Sequence, residues 1–307
     1  MASTPLPTVL ITGCSDHGIG SALAHAFHSH NYHIYACVRA TSQTTSISTL
    51  QNIDILTLDV TSPSQIQSVV DTIRDKGRGL DILVNNAAGA HFSPVLDVDI
   101  EEAKALFEVN VWGPLRLVKA CVPLLREGRE SGKGVGGMVV NVTSLAGRLN
   151  VPFMAPTPTP PPSSPTNLSH LQGLYSSSKA ALELLTETLR LELQPFSIKV
   201  LSVITGAVHS QGQSHFDNYA LPASSLYLPI EHTIAERARG NDGRPREDTA
   251  VYAESVVRDI LKGAEGKIWH GADAGAMKWM VQVLPGGMMD KAICEGTGLD
   301  RLGKGSA

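Results

Sequence analysis

Tyr175 and Lys179 stand four residues apart in Gly-Leu-Tyr-Ser-Ser-Ser-Lys-Ala-Ala, where a stretch with apolar residues at helical spacing begins. On a helix the two side chains share one face. A phenol beside an ammonium makes a general acid: the positive charge favours the phenolate and draws the Tyr pKa down from about 10 toward working pH. The same spacing also arises on ordinary amphipathic helices, so the pair acquires chemical meaning only from the groups a fold brings to it.

The elements that would position it alternate along the chain. Short β-branched runs predict strands at Thr8 to Thr12, His33 to Val38, Ile53 to Leu58, Leu80 to Asn85, Met138 to Thr143 and Ile198 to Val203. Helical periodicity separates them at Ile19 to Phe27, Ser64 to Arg74, Glu101 to Leu125 and Ala180 to Leu193. Repeated βα units with nearly continuous apolar strands predict an α/β fold, a Rossmann-type doubly wound parallel sheet in a single domain spanning residues 1–307. A helix at Asp248 to Lys262 and a strand at Lys267 to His270 follow.

Three segments depart from this rhythm. Ala155 to Pro165 is Pro/Ser/Thr-rich and predicts a polyproline-like insertion, and a PxxP match at Pro158 to Pro161 carries little weight as a docking motif. Residues 209–245 look like an irregular polar substrate flap. The apolar tail, 274–293, is broken by Pro285-Gly-Gly and predicts a helical hairpin packed on the core or a partner subunit; the sharper reading is a peripheral membrane contact.

With 42% hydrophobic and 18% charged residues and a net charge of −4, the chain has ample core and no basic field for nucleic acid. Cys14, Cys37, Cys121 and Cys294 are too scattered for a metal site or a disulfide framework and read as small buried hydrophobes in a reducing compartment. No targeting peptide or spanning segment is evident. The expectation is a cytoplasmic protein, with the endoplasmic reticulum or lipid droplets as the surfaces the tail would meet.

Thr12-Gly-Cys-Ser-Asp-His-Gly-Ile-Gly20 joins the first strand to the first helix. Glycines there let the backbone approach a phosphate, and the helix N-terminus supplies N–H groups and a positive dipole. Gly13, Ser15, Gly18, Ile19 and Gly20 are therefore the expected pyrophosphate contacts. The second strand ends without an acidic residue for a ribose 2′-hydroxyl, and Arg39 follows it, which favours a 2′-phosphate and hence NADP(H) over NAD(H).

With these features the chain resembles the short-chain dehydrogenase/reductase family over nearly its whole length. The resemblance implies that Tyr175 is the catalytic acid. Leu58-Asp59-Val60 is similar to the family's adenine-contacting segment, and Asn85-Asn86-Ala87-Ala88-Gly89 to its Asn-Asn-Ala-Gly motif, with Ala88 where Gly is usual. Asn110 matches the family asparagine that holds a water linking Lys179 to solvent. Ser144 matches the serine that hydrogen-bonds the substrate carbonyl, Lys179 would also bind the nicotinamide ribose, and Val208 and Ser210 would border the carboxamide.

Other departures point to a subgroup. The first loop has four residues between Gly13 and Gly18 rather than three, with His17 where a glycine is expected, and Ile204-Thr-Gly-Ala-Val208 replaces the commoner Pro-Gly. These features, with Leu96-Asp-Val-Asp, Tyr227-Leu-Pro-Ile-Glu and Lys267-Ile-Trp-His-Gly, are similar to fungal 1-acyldihydroxyacetone-phosphate reductases and their relatives. Ser144 and Tyr175 stand 31 positions apart, far more than is usual, because of the Pro-rich insertion.

The expected activity is NADPH-dependent reduction of a ketone or aldehyde, on a lipid-like acyl-dihydroxyacetone phosphate or a specialised-metabolite ketone. The alternatives are a non-redox isomerase, dehydratase or cyclase using Tyr175 as acid/base, and a cofactor-sensing protein without turnover. The resemblance implies a homodimer or homotetramer formed through the helices around Asn110 and Tyr175.

Overall fold

The computed structural model describes residues 5–77, 79–89, 93–131, 135–149, 152, 173–210, 220–241 and 243–302. The Pro-rich insertion and residues 211–219 of the expected flap lie outside them. A seven-stranded, all-parallel sheet runs in the order β3-β2-β1-β4-β5-β6-β7. Its strands are β1 (Thr8–Thr12), β2 (His33–Val38), β3 (Ile53–Thr57), β4 (Ile82–Asn85), β5 (Met138–Val142), β6 (Lys199–Thr205) and β7 (Gly266–His270).

Every residue of β1, β2, β4 and β5 is buried, because helices cover both faces of the sheet. One layer is α1 (Ile19–Ser29) and α7 (Thr249–Leu261), where Leu23, Phe27, Tyr252 and Val256 join the core. The opposite layer is α2 (Pro63–Asp75), α4 (Gly113–Ser131) and α5 (Gly173–Leu193), which bury Val69, Ile73, Leu117, Leu124 and Leu193. β3 is an edge strand, and its residues are correspondingly half-buried or exposed.

The direction of winding reverses between β1 and β4. A crevice therefore opens at their carboxyl ends, where doubly wound sheets bind ligands.

Three expectations need correction. The helix expected over Glu101 to Leu125 is two helices, α3 (Ile100–Phe107) and α4, joined by a π turn over Glu108–Trp112 that carries Asn110. The segment 209–245 contains α6 (Glu231–Ala238), whose Ile234 and Ala238 pack with Leu221 and Ile230 in a small core of their own. Arg237, read as part of a polar flap, is 8% exposed and donates to the Gly296 carbonyl at 3.2 Å.

The tail forms the expected hairpin, α8 (Ala274–Val283) and α9 (Gly286–Cys294), parted at Pro285. Met289 and Ile293 pack with Leu149, whereas Trp279 and Val283 are exposed. Among the described residues no helix is long and apolar enough to cross a membrane. The four cysteines are free; Cys294 is half-buried rather than buried.

Candidate active site

The loop from β1 to α1 owes its shape to contacts that exclude side chains. A Cβ on Gly13, whose φ is +73°, would meet Ala87 Cα at 2.9 Å, and one on Gly20 would lie 2.2 Å from the Gly13 carbonyl oxygen. Thr12 Oγ1 accepts from the Asn86 and Ala87 N–H groups at 3.0 and 2.9 Å, while Asn86 Nδ2 donates to the Thr12 and Gly13 carbonyls at 2.8 and 3.2 Å. The Asn86 side chain thus braces the glycine loop.

Gly18 caps α1 with no side-chain hydrogen bond, so the start of α1 keeps the character of an anion site at the carboxyl end of β1, beside half-buried Ser15 and Ile19. His17 adopts φ +57°, which is the reason a glycine is expected at that position. Arg39, directly after β2, is half-buried and lies within electrostatic reach of Asp59. Asp59 Oδ1 accepts from the Thr61 N–H and hydroxyl at 2.9 and 2.7 Å, and Val60 fits against Gly113, where a Cβ would approach Val60 Cγ2 to 2.8 Å. A glycine cradle, a helix N-terminus and an adjacent arginine fit the pyrophosphate and phosphate groups of a dinucleotide.

Tyr175 and Lys179 share the inner face of α5, 6% and 3% exposed. The Ser144 side chain, at the end of β5, lies within electrostatic reach of the Tyr175 phenol, and its Oγ accepts from the Ala146 N–H at 3.1 Å to start a 3-10 turn over Leu145–Gly147. That turn lies directly on α5, since a Cβ on Gly147 would stand 2.8 Å from the Ala180 nitrogen and 2.9 Å from the Lys179 carbonyl carbon. Gly147 is what lets Ser144 reach Tyr175.

Lys179 Nζ donates to the Val142 carbonyl at 2.9 Å and lies 5.7 Å from the centre of the Tyr175 ring. The expected lowering of the phenol pKa by this ammonium is therefore not what the structure gives. Burial pushes Tyr175 up to about 12, with the Ser144 side chain pulling the other way, and burial brings Lys179 down to about 8. Desolvation outweighs charge here because the ammonium is turned to a backbone carbonyl.

Asn110, 1% exposed, reaches this cluster from the π turn. Its Nδ2 donates to the Gly89 carbonyl at 2.8 Å and to Ser178 Oγ at 3.0 Å, its Oδ1 accepts from the Gly89 N–H at 2.6 Å, and Ser178 in turn donates to the Tyr175 carbonyl at 2.8 Å. With Ala88 in the usual glycine position, Gly89 is the residue that meets Asn110. Val208 is buried and bridges the backbone of Glu247, with Ser210 half-buried beyond it.

Sequence reasoning missed Gly147, Ser178 and Thr12. Ser178 was visible only as one of three consecutive serines, and the other two residues gain their roles from distant partners. It also missed Tyr252, whose hydroxyl meets Thr205 Oγ1 at 2.7 Å beneath the end of β6. A cavity of about 500 Å3 adjoins the cluster; Ala146 and Gly147, just after Ser144, and Ser176 and Ser177, just after Tyr175, form part of its wall. Among the described residues no group of three or more His, Cys, Asp or Glu side chains could hold a metal ion.

The short chain dehydrogenase family model matches residues 7–156 and 166–218. The chain is 42% identical over 293 residues to the short-chain dehydrogenase ptmH of Penicillium ochrochloron, covering 95% of this chain and 98% of the relative. It is 34% identical over 233 residues to the NADPH-dependent 1-acyldihydroxyacetone phosphate reductase of Schizosaccharomyces pombe, covering 74% and 70% of the two chains. Its fold resembles that of a Burkholderia cenocepacia short chain dehydrogenase crystallised with NADP, with a TM-score of 0.67 and 23% identity over 93% of this chain and 96% of that one. With the doubly wound sheet and the family match over most of its length, the chain belongs to the short-chain dehydrogenase family of oxidoreductases.

Proposed function

We propose that this protein reduces a ketone or aldehyde to an alcohol with NADPH. The observation that carries the reading is that the Ser144 side chain lies within electrostatic reach of the buried Tyr175 phenol, with Lys179 one helical turn away. Two hydroxyls placed in this way can both address one carbonyl oxygen. The NADPH dependence of the Schizosaccharomyces relative and the NADP in the Burkholderia structure support the choice of cofactor, as does Arg39.

When bound, the reduced nicotinamide supplies a hydride to the carbonyl carbon. Gly13, Ser15, Gly18, Ile19 and Gly20 hold the pyrophosphate, Arg39 the 2′-phosphate and Asp59 and Val60 the adenine; Ala87, Asn86, Val208 and Ser210 border the nicotinamide half. Ser144 holds the substrate oxygen. Tyr175, kept neutral far above pH 7, retains its proton until the oxygen takes it. The resulting phenolate is stabilised by the Lys179 ammonium and by Ser144, which is differential stabilisation of the charge that develops. Lys179 also binds the nicotinamide ribose, and Asn110, in the π turn, holds the water that resupplies the proton.

The substrate is a lipid-like or specialised-metabolite ketone. Self-association buries the exposed apolar residues Trp112, Leu184 and Leu191 on and beside α4 and α5. Purified protein should oxidise NADPH stoichiometrically with alcohol formed from members of a carbonyl panel, and Tyr175→Phe should remove turnover while NADPH binding persists. Product without NADPH oxidation would favour a non-redox reaction, and full activity in Tyr175→Phe would remove it as the acid.

A further inference from the structure

The cavity, which reaches the Tyr175 cluster through Ala146, a packing neighbour of Tyr175, is bounded by segments remote in sequence. Ser93, Pro94 and Val95, after β4, contribute to its wall, and so do Tyr227 and Leu299. The first segment is tied to the one before α6 by a single side chain: Ser225 Oγ donates to Asp97 Oδ2 at 2.6 Å and accepts from the Tyr227 N–H at 3.1 Å. Ser225 is 7% exposed and Asp97 half-buried, so this bond to a carboxylate is partly shielded from solvent and belongs to the stronger class. It fixes where Tyr227 stands relative to Val95.

The charges around the cavity are already matched. Among the described lining residues Arg148 is the one cation, and it is held by Glu183 from α5: Nε donates to Oε2 at 2.7 Å and the second guanidinium nitrogen to Oε1. Lys267 Nζ lies 2.9 Å from the same Oε1 and 3.9 Å from Glu187 Oε2. Arg190 also lies 3.7 Å from Glu187 Oε2, so three cations share Glu183 and Glu187, and Asp97 beside Val95 is the third negative charge that balances them. An anionic ligand would have to displace Glu183 from Arg148 and approach Asp97, both unfavourable at a partly desolvated site.

From this we infer that the cavity receives the non-reacting body of the carbonyl substrate, that this body is uncharged, and that the Asp97–Ser225 hydrogen bond sets the cavity's outer wall. The inference rests on the carbonyl-reduction reading and narrows it, because it disfavours a ketone whose remote end carries a phosphate. Ser225 and Asp97 are positioning residues; neither touches the reacting atoms.

The test uses the full chain as Tyr175→Phe, saturated with NADPH so that binding is read without turnover. The probe is 6-acetyl-2-dimethylaminonaphthalene, an uncharged ketone whose emission shifts to the blue in a dry site; 6-acetylnaphthalene-2-sulfonate, an anionic aryl ketone of similar size, is measured by displacement. The expected result is that the uncharged ketone binds at least roughly tenfold more tightly than the sulfonate. Val95→Trp, which fills the cavity, and Ser225→Ala, which frees its wall, should each weaken the uncharged probe about fivefold or more with NADPH affinity unchanged. NADPH affinity also reports folding, so either variant suffices if the other is lost.

Absence of blue-shifted binding, equal or tighter binding of the sulfonate, or undiminished binding in folded variants overturns the inference. Wild-type turnover of the same ketone is scored separately. Binding with this selectivity but without NADPH oxidation would sink the reduction reading and leave the charge selectivity of the cavity standing.

Discussion

Asn110 grips both backbone polar groups of Gly89, accepting from its N–H at 2.6 Å and donating to its carbonyl at 2.8 Å. A side chain from the π turn thereby anchors the loop after β4. Asn110→Ala leaves both half-buried Gly89 groups without this partner, and urea melts should show a loss of about 2 kcal/mol. Gly89→Ala should cost under about 1 kcal/mol, because its Cβ meets the movable tip of Leu106 at 3.0 Å and makes ordinary van der Waals contact with Asn110 Oδ1 at 3.8 Å. Equal costs would mean that the loop's backbone shape, not the amide grip, provides the anchor.

Gly147→Ala tests the approach of the β5 turn to α5. Its Cβ would lie 2.8 and 2.9 Å from backbone atoms of Ala180 and Lys179, which cannot yield without moving the helix. A displacement of Ser144 from Tyr175 by even a fraction of an ångström should lower kcat roughly 100-fold. Steady-state rates near wild type would show that the turn can retreat alone.

Lys179→Met should abolish reduction yet stabilise the fold at neutral pH. The ammonium titrates at about 8 in the folded protein against an ordinary 10.5, so below pH 8 both states are protonated and the full burial cost, about 3 kcal/mol, is present. Between pH 8 and 10.5 the folded state has released a proton that the unfolded state keeps, and wild-type stability rises. Losing the bond to Val142 offsets about 1 kcal/mol, which leaves Met ahead by about 2 kcal/mol at pH 7, a lead that closes by pH 10.5. Denaturant titrations across that range read the effect directly; a gap that widens with pH contradicts the sign. Reduction by the wild type should decline above pH 8 as Lys179 loses its charge.

Arg39→Leu should change cofactor choice and little else. Losing the guanidinium that faces a 2′-phosphate should raise the NADPH dissociation constant roughly 10- to 100-fold and leave NADH within about threefold. Fluorescence titration with both cofactors decides it, and parallel weakening of the two would assign Arg39 to packing near Asp59 instead.

The amino-acid sequence by itself determined the order of strands and helices, the glycine loop and the spacing of Tyr175 and Lys179, because hydrophobic period, turn chemistry and motif spacing are local properties, while the family resemblance singled out Ser144 and Asn110 as their expected partners. It could not place the break at Glu108–Trp112, since the apolar spacing through α3 and α4 reads as one helix until Asn110 is seen bound to Gly89. Nor could it give the Tyr175 pKa, which depends on how much solvent is removed and on where Lys179 turns its ammonium. Only the tertiary structure decided that Gly147 meets α5, that Arg148 is neutralised by Glu183, and that Ser225, bonded to the Tyr227 N–H, reaches Asp97 across 128 positions. Close packing and desolvation act between residues far apart in the chain, and local sequence pattern does not record them.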